Sequence, residues 1–179
     1  MRVRRVVTGH DASGKAVVTS DEEVEPVTAA LLPGGEFHRL WGGDSTPTFP
    51  DDGSPTPQTS YYPPVGGYRF AMFRVTPGAR TLPPDLDLEA ARAELDEKLP
   101  GLSGRMDPDV PGRHASDTVD FGIVLAGEVI LHLDDGAETV LRTGDTFVQN
   151  GTFHRWSNNG TEPAVVCLFM AGARREENR

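Results

Sequence analysis

The chain has 179 residues, the length of one domain, and at that size a core closes without disulfides or a structural metal. Twenty-seven acidic residues stand against 17 basic ones, and the net charge of −10 argues against nucleic acid or an anionic membrane surface as a partner. Cys167 is the single cysteine, which excludes an internal disulfide and any multi-cysteine metal or iron–sulfur site. No apolar run approaches the ~20 residues of a membrane-crossing helix. No signal-peptide segment follows the basic start either, so the reading is a soluble, cytoplasmic protein. Glycine (20) and proline (15) are both abundant, which favours short strands and turns over a helical bundle.

Val3-Arg-Arg-Val-Val and Lys15-Ala-Val-Val-Thr flank the turn residues Asp11-Ala-Ser-Gly and predict a hairpin. Glu36 to Trp41 alternates as a further strand. Residues 42–67 then hold five glycines and six prolines, too many for a regular element, and predict a long loop covering one end of the fold. Tyr61 and Tyr62 mark a part of it that packs. Tyr68 to Val75 alternates as a strand. Residues 85–99 predict the one helix, with Leu88, Ala91, Leu95 and Leu99 on a common face and Glu94 one turn before Lys98. From Asp117 onward the pattern is densely β, with breaks at Gly127-Glu128, Asp134-Asp135-Gly136, Gly144-Asp145 and Asn150-Gly151 and a last apolar run from Pro163 to Met170. Turns this frequent, with no helix between them, predict a sandwich or a barrel.

Phosphate-binding glycine loops, nucleophile elbows and H-E-x-x-H are all absent. His114, Ser116, Thr118 and Asp120 follow at steps of two, so along a strand their side chains share one face. His154 comes just after the Asn150-Gly151 turn. Two imidazoles and a carboxylate on neighbouring strands can supply three ligands to a metal and leave positions open for water or substrate. The competing reading is an inert polar core in which Asp120 hydrogen-bonds His154. His38 and Trp41 are candidates for the barrel mouth but read more naturally as structural, and His10 and His132 read as surface residues. Cys167, Met106, Met170, Phe70 and Phe73 are read as core.

These residues carry a resemblance to the cupin superfamily. In Asp120-Phe-Gly-Ile-Val-Leu-Ala-Gly127-Glu128 a carboxylate precedes the glycine of the first cupin motif by seven positions, and the motif's two histidines fall on His114 and on position 116. Gly144-Asp145, Gly151, His154 and Asn158 resemble the second motif. The chain departs from the pattern at Ser116, where a histidine ligand is expected, and at Gln149, where proline is usual. The resemblance is specific over about 110–172.

It implies an all-β fold, a double-stranded β-helix (jelly-roll) barrel with one inserted helix. Residues 1–179 then form a single domain: N-terminal strands and the Pro/Gly-rich loop over 1–67, and the barrel over 68–172 with the helical insert at 85–99. A divalent ion (Fe, Zn, Mn or Ni) would be held by His114, Asp120 and His154. His154 and Asp120 would serve catalysis, and Ser116 and Gln149 would line the lumen. The implied activity is that of a small-molecule-processing enzyme of oxygenase, decarboxylase, isomerase or cyclase type, and the implied assembly a homodimer. The alternative is a metal-free cupin that binds or senses a small ligand.

Overall fold

The computed structural model describes residues 1–78 and 81–176. The strands are β1 (Arg4–His10), β2 (Ala16–Glu23), β3 (Glu36–Gly43), β4 (Tyr68–Val75), β5 (Thr118–Ala126), β6 (Glu128–His132), β7 (Glu138–Arg142), β8 (Thr146–Asn150), β9 (Arg155–Ser157) and β10 (Ala164–Gly172). A five-stranded sheet in the order β3-β4-β10-β5-β8 faces a three-stranded sheet, β7-β6-β9, and β1-β2 forms a separate hairpin. Every ladder is antiparallel. Val75, Val124 and Val166 of the larger sheet pack with Val129 and Leu141 of the smaller one to form the core between them. Phe147 of β8 and Trp156 of β9 join the sheets along one side, with ring centroids 4.9 Å apart. This is the expected jelly-roll barrel.

The inserted helix, α1 (Leu88–Lys98), begins three positions later than its apolar spacing predicts. Asp87 caps it, its carboxylate accepting hydrogen bonds from the amides of Glu89 and Ala90. Leu88 therefore sits in the first turn, outside the packed face, and is half exposed, whereas Ala91, Leu95 and Leu99 are buried. Leu95 and Leu99, with Leu102, reach the inner face of β10 at Leu168 and Met170, and Tyr61 and Tyr62 complete the cluster. The loop, through Tyr61 and Tyr62, and the helix thus pack together against β10. Glu94 and Lys98 form the predicted pair at 2.6 Å, and each also reaches the N-terminal segment: Glu94 accepts from the Ala30 amide and Lys98 donates to the Thr28 carbonyl.

Two residues expected in the core point the other way. Phe70 is 41% exposed and Cys167 half-buried, both on the outer face of the five-stranded sheet. β10 is apolar on both faces and β4 carries one arginine on each, Arg69 inward and Arg74 outward, so alternation alone does not say which face is covered. His10 and His132, expected at the surface, are half-buried. His10 Nδ1 meets the Asp51 carbonyl at 3.0 Å, and His132 lies between Ser157 and Glu138. His38 is fully buried, its Nδ1 3.0 Å from the Val24 carbonyl, in the structural role expected of it.

The 42–67 loop is tied at several points. The Asp44 carboxylate takes Arg69 Nη2 at 2.5 Å and Thr59 Oγ1 at 2.7 Å, the Asp51 carbonyl accepts the His10 amide, and the Tyr61 amide donates to the Pro100 carbonyl at 2.7 Å. Where the loop rejoins β4 it crosses the end of β10 so closely that a Cβ on Gly172 would lie 1.8 Å from the Pro64 carbonyl oxygen. Both contacting groups are backbone, so neither can rotate away. Gly172→Ala is expected to lift this crossing and destabilise the protein by about 1–3 kcal/mol. Urea denaturation checks the loss, and hydrogen exchange should show it concentrated at 60–67 and not in β5–β6.

Candidate functional site

The site forms where the two motifs meet. β5 turns Thr118 and Asp120 inward, with Ser116 buried just before them. β8 runs beside it with Gln149 directly opposite Asp120, and the chain reverses at Gly151, whose φ of +61° suits glycine. The reversal brings His154 against His114. Each amide donates to the other's carbonyl at 2.9 Å, and the imidazole centroids are 4.3 Å apart.

The ring nitrogens are differentiated by their surroundings. His114 Nδ1 lies 3.2 Å from the Gly112 carbonyl, and His154 Nδ1 lies 2.9 Å from the Thr152 carbonyl. A carbonyl accepts only a proton, so each Nδ1 carries the hydrogen and each Nε2 keeps a lone pair. A carbonyl behind the imidazole is the usual way a ligand histidine is oriented. Burial, then the neighbouring His114, pushes the His154 pKa down to about 4, and burial lowers that of His114 as well. Both rings are neutral at pH 7, the form in which imidazole binds a metal.

Asp120 is the third expected residue. It is buried, its Oδ1 has no hydrogen-bond partner, and burial lifts its pKa to about 6 against the pull of a Thr118 hydrogen bond. The bond to His154 that an inert core would need is not made, since His154 Nδ1 is given to Thr152 and Asp120 Oδ1 is left open. Among the described residues, however, no group of three or more His, Cys, Asp or Glu side chains is close enough to hold a metal ion. The structure thus gathers the histidine pair and leaves the carboxylate apart from it. Ser116 and Gln149 are both buried and engaged: Ser116 Oγ meets Thr118 Oγ1 at 2.6 Å, and the Gln149 amide donates to the Thr152 hydroxyl. Asn158, the last residue of the second motif, is a structural knot whose amide donates to the carbonyls of Val75 and Glu162.

Two aromatic side chains join the site without a sequence signal of their own. Trp156, two positions after His154 and so on the same side of the strand, sets its ring 5.9 Å from the imidazole and perpendicular to it. Tyr62 faces His114 with centroids 6.5 Å apart, and its buried hydroxyl has no partner. It also lines an open cleft of about 370 Å³ with Ser60, Pro63, Arg105 and Asp117. An aromatic pair inside a proline-rich loop is the only hint of it in the sequence.

Residues 104–170 match the Cupin_2 family, a cupin domain. The phomopsin biosynthesis cluster protein C′ of Diaporthe leptostromiformis is 31% identical over 156 residues, covering 86% of this chain and 69% of that protein. A cupin-domain-containing oxidoreductase of Aspergillus ruber is 28% identical, covering 94% of this chain and 72% of its own. Among solved structures, a sugar phosphate isomerase of the cupin superfamily from Silicibacter pomeroyi is 16% identical and aligns with a TM-score of 0.44 over 84% of this chain and 70% of that one. With its jelly-roll sheets and both motifs in place, the chain belongs to the cupin superfamily. Among the described residues no helix is long and apolar enough to cross a membrane.

The carboxylate sets a pH dependence. A buried carboxyl whose pKa rises from 3.8 to about 6 binds its proton more tightly folded than unfolded. Its stabilising effect is complete below pH 4 and is lost as pH rises towards 6. In metal-free protein, Asp120→Asn is expected to raise stability at pH 7.5 by on the order of 2 kcal/mol and to leave it nearly unchanged at pH 4. Thermal melts at the two pH values check the difference, and an equal change at both would show that Asp120 is not a buried, strained carboxylate.

Proposed function

We propose that the protein is a cytoplasmic, homodimeric cupin enzyme that processes a small organic molecule inside the barrel, with a divalent ion (Fe, Zn, Mn or Ni) as cofactor. The observation that carries this reading is the histidine pair, two neutral imidazoles with each Nδ1 tied to a carbonyl and each Nε2 free. That donor set fits a divalent metal. His114 and His154 would hold the ion and Asp120, with its unpartnered Oδ1, would be the anionic ligand. When bound, the ion supplies Lewis-acid or redox chemistry at a substrate oxygen.

The chain's own residues do the rest. Trp156 and Tyr62 wall the site and keep water from the imidazoles, and the Tyr62 hydroxyl is a free donor for a substrate oxygen. The cleft that Tyr62 lines serves as the approach from solvent. Relatives named as cupin-domain-containing oxidoreductases and biosynthesis cluster proteins favour an oxidoreductase-type step on a biosynthetic intermediate, among the oxygenase, decarboxylase, isomerase and cyclase chemistries implied by sequence.

One observation favours the alternative, a metal-free cupin that binds or senses a small ligand: three donors are not gathered among the described residues. Metal titration separates the two readings. At a metal concentration ~100 times the dissociation constant, binding to the native state adds about 2.7 kcal/mol, a rise of several degrees in melting temperature. His154→Ala is expected to abolish that rise and Asp120→Asn to reduce it. If none of Fe(II), Zn(II), Mn(II) or Ni(II) shifts the melt of the unmodified protein, the ligand-binding reading replaces the enzyme.

A further inference from the structure

The N-terminal segment covers the outer face of the five-stranded sheet at β3, where His38 is buried against Val24 and Arg5 lies over Trp41, but across β4, β10, β5 and β8 that face is apolar and uncovered. Register places Phe70 beside Phe169, Phe169 beside Phe121 and Phe121 beside Val148, so one row of side chains crosses four strands. These four are 41%, 40%, 50% and 58% exposed, and Leu125 of β5 adds another at 44%. With roughly 200 Å² to a phenylalanine, the five contribute on the order of 500 Å². That lies within the ~300–600 Å² of the largest apolar patch on a typical monomer, and such patches are commonly functional. The half-buried outward side chains of the flanking rows, Cys167 among them, extend it towards the ~800 Å² per partner of a standard interface.

Charge decides what covers it. In a chain of net charge −10, none of the outward side chains in 68–72, 167–171, 119–123 or 146–150 is acidic or basic. The charged groups on the same side, Arg74 and Glu36, pair with each other at the β3 edge, so a basic partner would find no free carboxylate across these rows. Two copies of an acidic chain repel each other elsewhere and approach at least cost where both are neutral. The row also crosses the sheet, so a twofold axis parallel to the sheet plane sets the aromatic row of one copy against that of the other, an isologous contact. We infer that the outer face of β4, β10, β5 and β8 is the interface with a second copy of this chain, formed by face-to-face packing of the two sheets. The inference rests on the homodimeric reading above and assigns its surface.

Sedimentation velocity of the full chain tests both. The unmodified protein is expected at twice the 19.3 kDa chain mass at micromolar concentration. Phe121→Glu combined with Phe169→Glu is expected to give a monomer with an unchanged far-UV spectrum. Val148→Lys, at the most exposed position of the row, is the gentler variant and should weaken association at least tenfold. Val18→Glu, at an exposed position of the separate β1-β2 hairpin, should leave the dimer intact. Cys167 shares the face, so its reaction with a thiol reagent should accelerate in the charged variants as the interface opens. A monomeric unmodified protein overturns the dimer and the interface together. A dimer that survives Val148→Lys and the folded double variant, or that Val18→Glu disrupts, overturns this face alone and leaves the homodimer standing.

Discussion

Two hydrogen bonds between the backbones of His114 and His154 hold the candidate site together. They join a segment that leads into β5 to one that leaves β8, and they fix the register in which the two imidazoles fall side by side. A slip of one residue on either side would send one ring to the opposite face. Nearby features serve this register. Gly151 allows the reversal close to the Ser116 backbone, and Arg175 clamps it by donating to the carbonyls of both Ser116 and Gly151. The site is built by main chain first, with side chains placed as a consequence.

The interior so formed holds two neutral imidazoles and two buried charges: Arg69, paired with Asp44, and Asp120, whose pKa burial lifts to about 6 and which is still mostly ionised at pH 7. The surface is the reverse, carrying nearly all the chain's acids in ion pairs such as Arg4–Asp21 and Arg113–Asp107 or free in solvent. These exposed pairs contribute little individually. Stability lies in the valine-rich contact between the two sheets and in the leucine–tyrosine cluster beneath α1.

Much of this is legible in the sequence because strands and turns have short-range signals. The positions of β1 to β8 and of β10 follow from alternation and from turn residues between them, the three-residue β9 carries no periodicity of its own, and the pairing of His114 with His154 follows from the two motifs. The side of the sheet each strand buries is not legible for β4 and β10, whose two faces are alike in polarity, and Phe70 and Cys167 lie opposite to expectation for that reason. Nor is it legible that Ser116 and Gln149 satisfy their hydrogen bonds through Thr118 and Thr152, because hydroxyl partners carry no periodicity. Tyr62 is hidden for a different reason: its position depends on where a long irregular loop crosses β10, which no local pattern encodes.

That crossing divides the loop into parts with different freedom to vary. The stretch from Asp44 to Thr59 is closed at its base by contacts between its own ends, the Asp44 carboxylate holding Thr59. Its middle, 51–53, packs against the β1-β2 hairpin at His10 and Gly9, so changes there fall on the hairpin before they reach the residues from Ser60 onward. From Ser60 to Gly67 the chain is wedged between Pro100 and the end of β10, and each residue added there would displace Tyr61 and Tyr62 from the cluster under the helix. The segment behaves as an exchangeable cassette mounted on a fixed hinge plate, so related chains can diversify the rim around the barrel while the aromatic wall stays where it is.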